Sequence, residues 1–265
     1  MKIGSVDIAA MKVGAANVSK VYQGATEIAV GEEEPWTPAS IPDLELWLIN
    51  DASTMWRETD SLTTPAAVDA RVGTWLDQSG QNNHMTSVGN TRRFTLRSDG
   101  SNLYNEAVAA QLEEMAASGV PLAWLALAAF ETDTNADFAR IADHANANVI
   151  MARRTSGSDQ RLIGPTDAEY WAGHGGSVTG PHASASHNNP LPYSDPRVIL
   201  MEWPTPLTAG ELVLAGQSGS NANNVDLGIY SVLAGSSALG AGDRSAAIAY
   251  PVSYTHLTLP TILRV

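Results

Sequence analysis

The first thirty residues repeat with a spacing of ten. KIGSVDIAAM, KVGAANVSKV and YQGATEIAVG align Gly4, Gly14 and Gly24. They also bring Ile8, Val18 and Ile28 into register, preceded by Asp7, Asn17 and Glu27. Glycine recurs where it would weaken a helix, so the pattern predicts short β segments punctuated by turns. Three such strands bury little alone, which predicts that this module, residues 1–31, packs against copies of itself or another protein. GEEEPWTPAS follows, and residues 32–40 read as a linker: three glutamates, then two prolines that forbid regular ladder pairing.

Beyond the linker the pattern is mainly that of strands. DLELWLIN sets Leu44, Leu46 and Leu48 on one face and Trp47 and Ile49 on the other, a strand buried on both sides. RVGTWLD reads as a second strand. Residues 103–118, LYNEAVAAQLEEMAAS, predict a helix: Tyr104, Val108, Leu112 and Met115 share a face, and Gly119 with Pro121 stops it. PLAWLALAAFE returns to strand, and ADFARIADHANANVIMARR fits helix or strand. RVILMEW, GELVLAG and NVDLGIYSVLAG are further strands separated by Gly, Pro and Asn. Many short strands with turn signals predict an all-β domain over residues 41–250, a two-sheet antiparallel sandwich with one helix inserted.

The last residues read differently. VSYTHLTLPT, Val252 to Thr261, can be encoded by GTC TCT TAT ACA CAT CTG ACG CTG CCG ACG. That string resembles the transposase end and adapter of tagmentation sequencing libraries. A short index matching Ile262 to Arg264 and then GTG TAG would complete it. Thr, Tyr and Leu would also suit a C-terminal strand. The resemblance implies that residues 251–265 are a non-native tail and that the natural protein continues beyond Tyr250.

Composition narrows the class of partner. In 265 residues, 44% are hydrophobic and 16% charged, enough to bury a core, and the 22 Gly and 14 Pro suit many turns. Fifteen basic against 28 acidic residues give a net charge of −13, which repels polyanions, so nucleic acid is not an expected partner. There is no cysteine, hence no disulfide, thiolate metal site or thiol nucleophile. The N-terminus lacks the unbroken apolar run of a signal peptide. VPLAWLALAAF at 120–130 is shorter than the roughly 20 residues that span a bilayer. Neither export nor membrane insertion is expected.

One polar stretch, GTWLDQSGQNNHMT, looks like a site. Trp75, Asp77, Ser79, Gly80, Asn83 and His84 form W-x-D-x-S-G-x-x-N-H after a strand. With LELWLINDAS some thirty residues before it, this resembles the start of laminin G-like, concanavalin A-type jelly rolls common in phage structural and bacterial surface proteins. The usual close of that family, a strand and then a helix beginning S-x-x-E-R, is echoed by VDLGIYSVLAGSSALGAGDRSAAIAY. The echo departs where Gly242-Asp243-Arg244 replaces Glu-Arg. The N-terminal repeats, VSKVYQGATEIA above all, resemble strings at the start of phage tail and other virion proteins.

From the residues themselves the motif reads as a structural turn. Asp and Ser oxygens cap backbone N–H groups, and Gly80 permits a positive φ. A calcium site is the alternative, but no second acidic ligand lies nearby. His174, His182 and His187 fall in a Gly/Ser/Asn-rich segment whose spacing matches no metal-ligand pair, so it reads as a solvated loop. No metal and no cofactor are expected. Catalysis has little to stand on: the E-x-D-x-E pattern of sandwich glycosidases is missing, QLEEM sits on the predicted helix, and GQSGS matches G-x-S-x-G only loosely. Tyr170, Trp171, His174, Asn188 and Tyr193 are the candidate ligand residues, because aromatic faces flanked by amides stack on sugar rings. Capping of the core is the other reading of those aromatics.

These readings and the resemblance together imply a non-enzymatic virion protein, a tail fibre or minor structural component, assembled in the host cytoplasm. Its repeat end would anchor or form a homo-oligomer, with a trimer among the options. It would join other virion proteins, and its sandwich would bind host-surface polysaccharide. A purely structural decoration domain and a bacterial surface glycoside hydrolase are the alternatives.

Overall fold

The computed structural model describes residues 36–59, 61–89, 91–100, 102–131, 138–145, 151–156, 159–163, 169–174, 177–183, 197–216 and 226–255, with six short strands between Lys2 and Ile28. Side chains are described for those residues within 36–130, 141–145, 197–216 and 226–250. The chain divides into two compact units, Met1–Thr37 and Pro38–Val265.

The first unit holds three antiparallel hairpins: β1 (Lys2–Ile3) with β2 (Val6–Asp7), β3 (Lys12–Val13) with β4 (Ala16–Asn17), and β5 (Val21–Gln23) with β6 (Thr26–Ile28). Each ten-residue repeat is therefore one hairpin, and Gly4, Gly14 and Gly24 each follow its first strand.

The second unit is an antiparallel sheet with one C-terminal helix. Its strands are β7 (Leu44–Ile49), β8 (Met55–Trp56), β9 (Arg71–Val72), β10 (Thr74–Trp75), β11 (Met85–Ser87), β12 (Phe94–Ser98), β13 (Leu103–Ala107) and β14 (Met115–Glu131). They continue with β15 (Phe138–His144), β16 (Met151–Ser156), β17 (Asp159–Ile163), β18 (Glu169–His174), β19 (Ser177–Ala183), β20 (Arg197–Leu214) and β21 (Leu227–Gly235). The helix α1 spans Ala241–Thr255.

Two long strands organise this sheet. β14 and β20 pair along their lengths, from Met115↔Leu214 to Ala129↔Arg197, with register shifts between Ala117 and Trp124. Gly119 and Pro121 fall in that irregular stretch, and Pro204 and Pro206 in the facing one, where ladder bonds are not required of them. At one end β14 pairs β11 and β20 pairs β15; at the other β14 pairs β21 and β20 pairs β18. The two faces expected of a sandwich are thus joined through shared strands. The sheet is nearly closed and barrel-like rather than a clear pair of stacked sheets.

The helix predicted over 103–118 does not form. Residues Leu103–Ala107 are strand β13, a 3-10 turn follows at Ala109–Gln111, and β14 begins at Met115. Tyr104, Val108, Leu112 and Met115 fit a helical spacing, but Asn105 and Ala107 are buried at a spacing of two. The ladders to β12 and β21 outweigh local propensity. Leu112, expected on the buried face, is exposed with a left-handed φ of 54°. The ambiguous 137–155 stretch resolves into β15 and β16. RVILMEW and GELVLAG are one strand, β20.

The core is built from alternating positions: Leu46 and Leu48 of β7, Trp75 of β10, Met85 of β11, Phe94 and Leu96 of β12, and Met115, Leu125 and Leu127 of β14. β7 is fully buried on that face only, since Trp47 and Ile49 are half-buried. On the opposite face α1 packs against β14, β20, β21 and β18. Arg244 of α1 donates to Glu202 of β20 at 2.7 Å, and the Tyr250 ring meets Trp47 edge-on at 6.0 Å. A carboxylate from β20 thus partners the helix arginine.

One edge of β21 is shared by two strands, β7 along Ser231–Gly235 and β13 along Leu227–Ile229. Asn50 fills the junction. Its Nδ2 donates to the carbonyls of Leu103 at 3.1 Å and Ile229 at 2.6 Å, and its Oδ1 accepts from Asn105 at 3.2 Å.

Candidate functional site

The W-x-D-x-S-G-x-x-N-H stretch is a turn fastened to β7. Asp77 is buried, and Oδ1 accepts the N–H of Trp47 at 2.8 Å and of Ser79 at 2.9 Å. Oδ2 accepts the Ser79 hydroxyl at 2.7 Å and the Asn83 N–H at 3.0 Å. Asn83 Nδ2 donates to the Glu45 carbonyl at 2.8 Å, the Gln78 N–H to the Trp47 carbonyl at 2.8 Å, and His84 Nδ1 accepts the Asp77 N–H at 3.1 Å. Gly80 has φ +89° and Asn82 φ +60°, so the turn uses the residues that tolerate this backbone. Trp75 is buried in the core, its indole N–H on the Ile49 carbonyl at 2.8 Å. A carboxylate offers about four acceptor positions. Here protein donors occupy that many, and a cation would have to displace them. Among the described residues no three His, Asp or Glu side chains converge on a point.

The other residues singled out in the sequence lie apart from that turn. Tyr170, Trp171 and His174 belong to β18, and His182 to β19; the two strands pair with each other, so this part of the expected loop is a hairpin. Asn188, Tyr193 and His187 lie outside the described residues. Tyr170 stands opposite Met201 of β20 and Trp171 opposite Leu200. Consecutive strand residues alternate faces. Tyr170 and Trp171 therefore do not share one stacking surface.

A different set of aromatics does come together. Ala107, Ala129 and Ile229 point into the core, so Tyr104 of β13, Phe130 of β14 and Tyr230 of β21 lie on the face turned away from it. Their ring centroids are 5.2 Å (Tyr104–Phe130), 5.7 Å (Tyr104–Tyr230) and 5.6 Å (Phe130–Tyr230) apart. Tyr230 is buried; Tyr104 and Phe130 are half-buried. The Phe130 ring lies over Gly228, where an added Cβ would come within 2.4 Å of it.

Polar groups rim this cluster. The Tyr230 hydroxyl donates to Asp99 Oδ2 at 2.9 Å. Arg97 donates to Glu106 at 2.7 Å and to Asp69 at 2.6 Å, and these bonds hold its guanidinium more firmly cationic than usual. Burial, then Asp99 and Tyr104, pushes the Tyr230 hydroxyl well above the ordinary tyrosine range. Burial and Glu106 raise Tyr104 as well. Sequence reasoning missed the cluster because it assigned Tyr104 to a helix and set Phe130 and Tyr230 inside core strands.

Two carboxylates expected on a helix are buried instead. Glu113 pairs with Arg71 and accepts the Val108 N–H at 2.8 Å, and Glu114 meets Arg92 at 3.3 Å. Each buried charge has its own guanidinium, which offsets the cost of taking it from water.

No protein-family model, curated protein or solved structure matches this chain.

Proposed function

We propose that the second unit is a non-enzymatic saccharide-binding domain of a virion protein, a laminin G-like jelly roll whose two sheets have merged through β14 and β20. The observation that carries this reading is the Tyr104–Phe130–Tyr230 cluster with its rim of Asp99, Arg97 and Glu106. Ring faces stack on the C–H faces of a pyranose, and carboxylates and a guanidinium answer its hydroxyls. The platform sits on strands, where its geometry is fixed before a ligand arrives.

Placement supports a wider site. Gly173 stands opposite Val198, Val198 opposite Ala128, and Ala128 opposite Ser231. The paired strand ends His174 and Ser177 and the aromatic cluster therefore lie toward the same end of the sheet, with β20 and β14 between β18 and β21. Tyr104 and Phe130 take the ring, and the β18–β19 hairpin contributes a flank. The candidate acids are committed elsewhere: Asp77 to backbone donors, Glu113 and Glu114 to arginines.

Stacking plus a few hydrogen bonds gives an affinity on the order of millimolar to micromolar per site. The test is retention of the full chain on host-surface polysaccharides and a broad glycan array. Binding that falls at least tenfold in Tyr104→Ala and Trp171→Ala is the expected result. No binding to any glycan would leave a decoration domain, and release of reducing ends would make the protein a hydrolase.

A further inference from the structure

The charges around the Tyr104–Phe130–Tyr230 face are unequal in sign. Arg97 stands directly opposite Tyr104 in the β12–β13 ladder, and Glu106 lies two residues along from Tyr104, so all three share a face. Arg97 Nε donates to Glu106 at 2.7 Å and its Nη1 to Asp69 at 2.6 Å. Asp99 follows β12 and accepts the Tyr230 hydroxyl at 2.9 Å. Three carboxylates thus stand against one guanidinium. The same four groups are the charges that act on the Tyr104 hydroxyl, which burial and then Glu106 raise above its ordinary value.

This surplus bears on which ligands the face accepts. The Arg97 charge is paired twice at hydrogen-bond distance, so an incoming carboxylate or sulfate would meet a net negative rim. Asp69 keeps 71% of its side chain exposed and Arg97 39%, so the rim opens to solvent and a ligand reaches it without disturbing the core. The rings select the same way. The face of an aromatic ring is negative and its edge positive, so a cation over Tyr104 or Phe130 is attracted and an anion repelled. The net charge of −13 on the chain adds a pull on cations over longer distances.

We propose that the sugar recognised by this face carries a free, protonated amine: a hexosamine that stacks on Tyr104 and Phe130 with its ammonium at the carboxylate rim of Asp69, Asp99 and Glu106. The inference rests on the saccharide reading of the same face and adds the charge class of the ligand. An N-acetylated sugar keeps the ring for stacking and loses the cation. A uronic acid or sulfated sugar reverses the charge.

The test is titration of the full chain with short glucosamine oligosaccharides, their N-acetylated counterparts and galacturonate oligosaccharides. It is run below neutral pH, where the sugar amine is protonated and the carboxylates stay ionised. The glucosamine series should bind about tenfold more tightly than the N-acetylated one, with the galacturonate series weakest. Arg97→Gln, which removes the lone cation, should strengthen glucosamine binding. Asp69→Asn/Glu106→Gln, which leaves Arg97 unpaired, should weaken it and strengthen galacturonate. If the double variant does not fold, the sign of the Arg97→Gln effect decides: unchanged or weaker glucosamine binding overturns the proposal. Glucosamine binding that survives Tyr104→Leu belongs to the general negative charge of the chain and overturns it as well. Equal affinity for the N-acetylated series, or a preference for galacturonate, overturns the amine and leaves the saccharide reading standing. No binding to any glycan overturns both.

Discussion

The Asp77 carboxylate accepts the backbone N–H of Trp47 at 2.8 Å, tying the polar turn to the first strand of the sheet across thirty residues of chain. The same carboxylate holds Ser79 and Asn83, so one side chain fixes both the turn and its place on β7. Asp77→Asn puts an amide NH2 where donors already point. The substitution should cost about 2 kcal/mol, read from denaturant midpoints, and added calcium should not restore it. Gly80→Val, at φ +89°, should cost roughly 1 to 3 kcal/mol from backbone strain alone, since its Cβ meets nothing within 4 Å. A calcium-dependent rise in thermal midpoint that Asp77→Asn abolishes would mean that the turn is a metal site.

Gly228→Ala should displace the Phe130 ring. The added Cβ would lie 2.4 Å from that ring, so the platform must shift, at a cost of about 1 to 3 kcal/mol. Saccharide retention should fall with it. An alanine variant with unchanged stability and binding would show that the ring has another position open to it.

Tyr230 should shape the alkaline limb of stability. Its folded pKa is raised, mainly by burial and then by Asp99, so the folded protein holds this proton more tightly than the unfolded chain. The contribution is fully present below the unfolded value near 10.0 and is lost as pH rises from there toward the higher folded value. Tyr230→Phe should remove that part of the slope above pH 10 and leave the neutral-pH slope unchanged. Equal alkaline slopes in both proteins would refute the assignment.

Removal of residues 252–265 should leave the unfolding midpoint within error. Pro251 has no N–H to donate to the carbonyl of Ala247, so α1 continues to Thr255 with one bond fewer. The described contacts of the helix, Arg244–Glu202 and Tyr250–Trp47, lie before the cut. A loss of more than about 2 kcal/mol would mean that the tail belongs to the fold.

Much of the second unit was legible where apolar residues dominate a strand, as in β7, whose burial alternates, and β21, which is buried throughout, and where polar residues cluster locally, as in the Asp77 turn. The failure at 103–118 has a definite cause. Tyr104, Val108, Leu112 and Met115 form a convincing 3.6-residue stripe, while the partners that hold Leu103–Ala107 extended, β12 and β21, are invisible to a local window. That the long strands join into one nearly closed sheet was hidden for a similar reason. Proline and glycine in β14 and β20 look like strand ends and are bends within strands. The aromatic cluster draws one ring from each of three strands, and no local spacing announces such a set.

The Asn50 junction also bears on how the chain reaches this fold. β7, the first strand of the second unit, finds its ladder on β21, the last strand before α1, and Asn50 bonds to Ile229. During synthesis, at about 5 to 20 residues per second, Leu44, Leu46 and Leu48 must therefore wait many seconds for the segment that covers them. Such distant pairing makes folding slow, and the waiting strand is an exposed apolar edge. Early chain release or truncation before Leu227 should leave β7 without its partner strand and turn the nascent chain toward aggregation. The region around β7, rather than the candidate binding surface, is where a chaperone would earn its place.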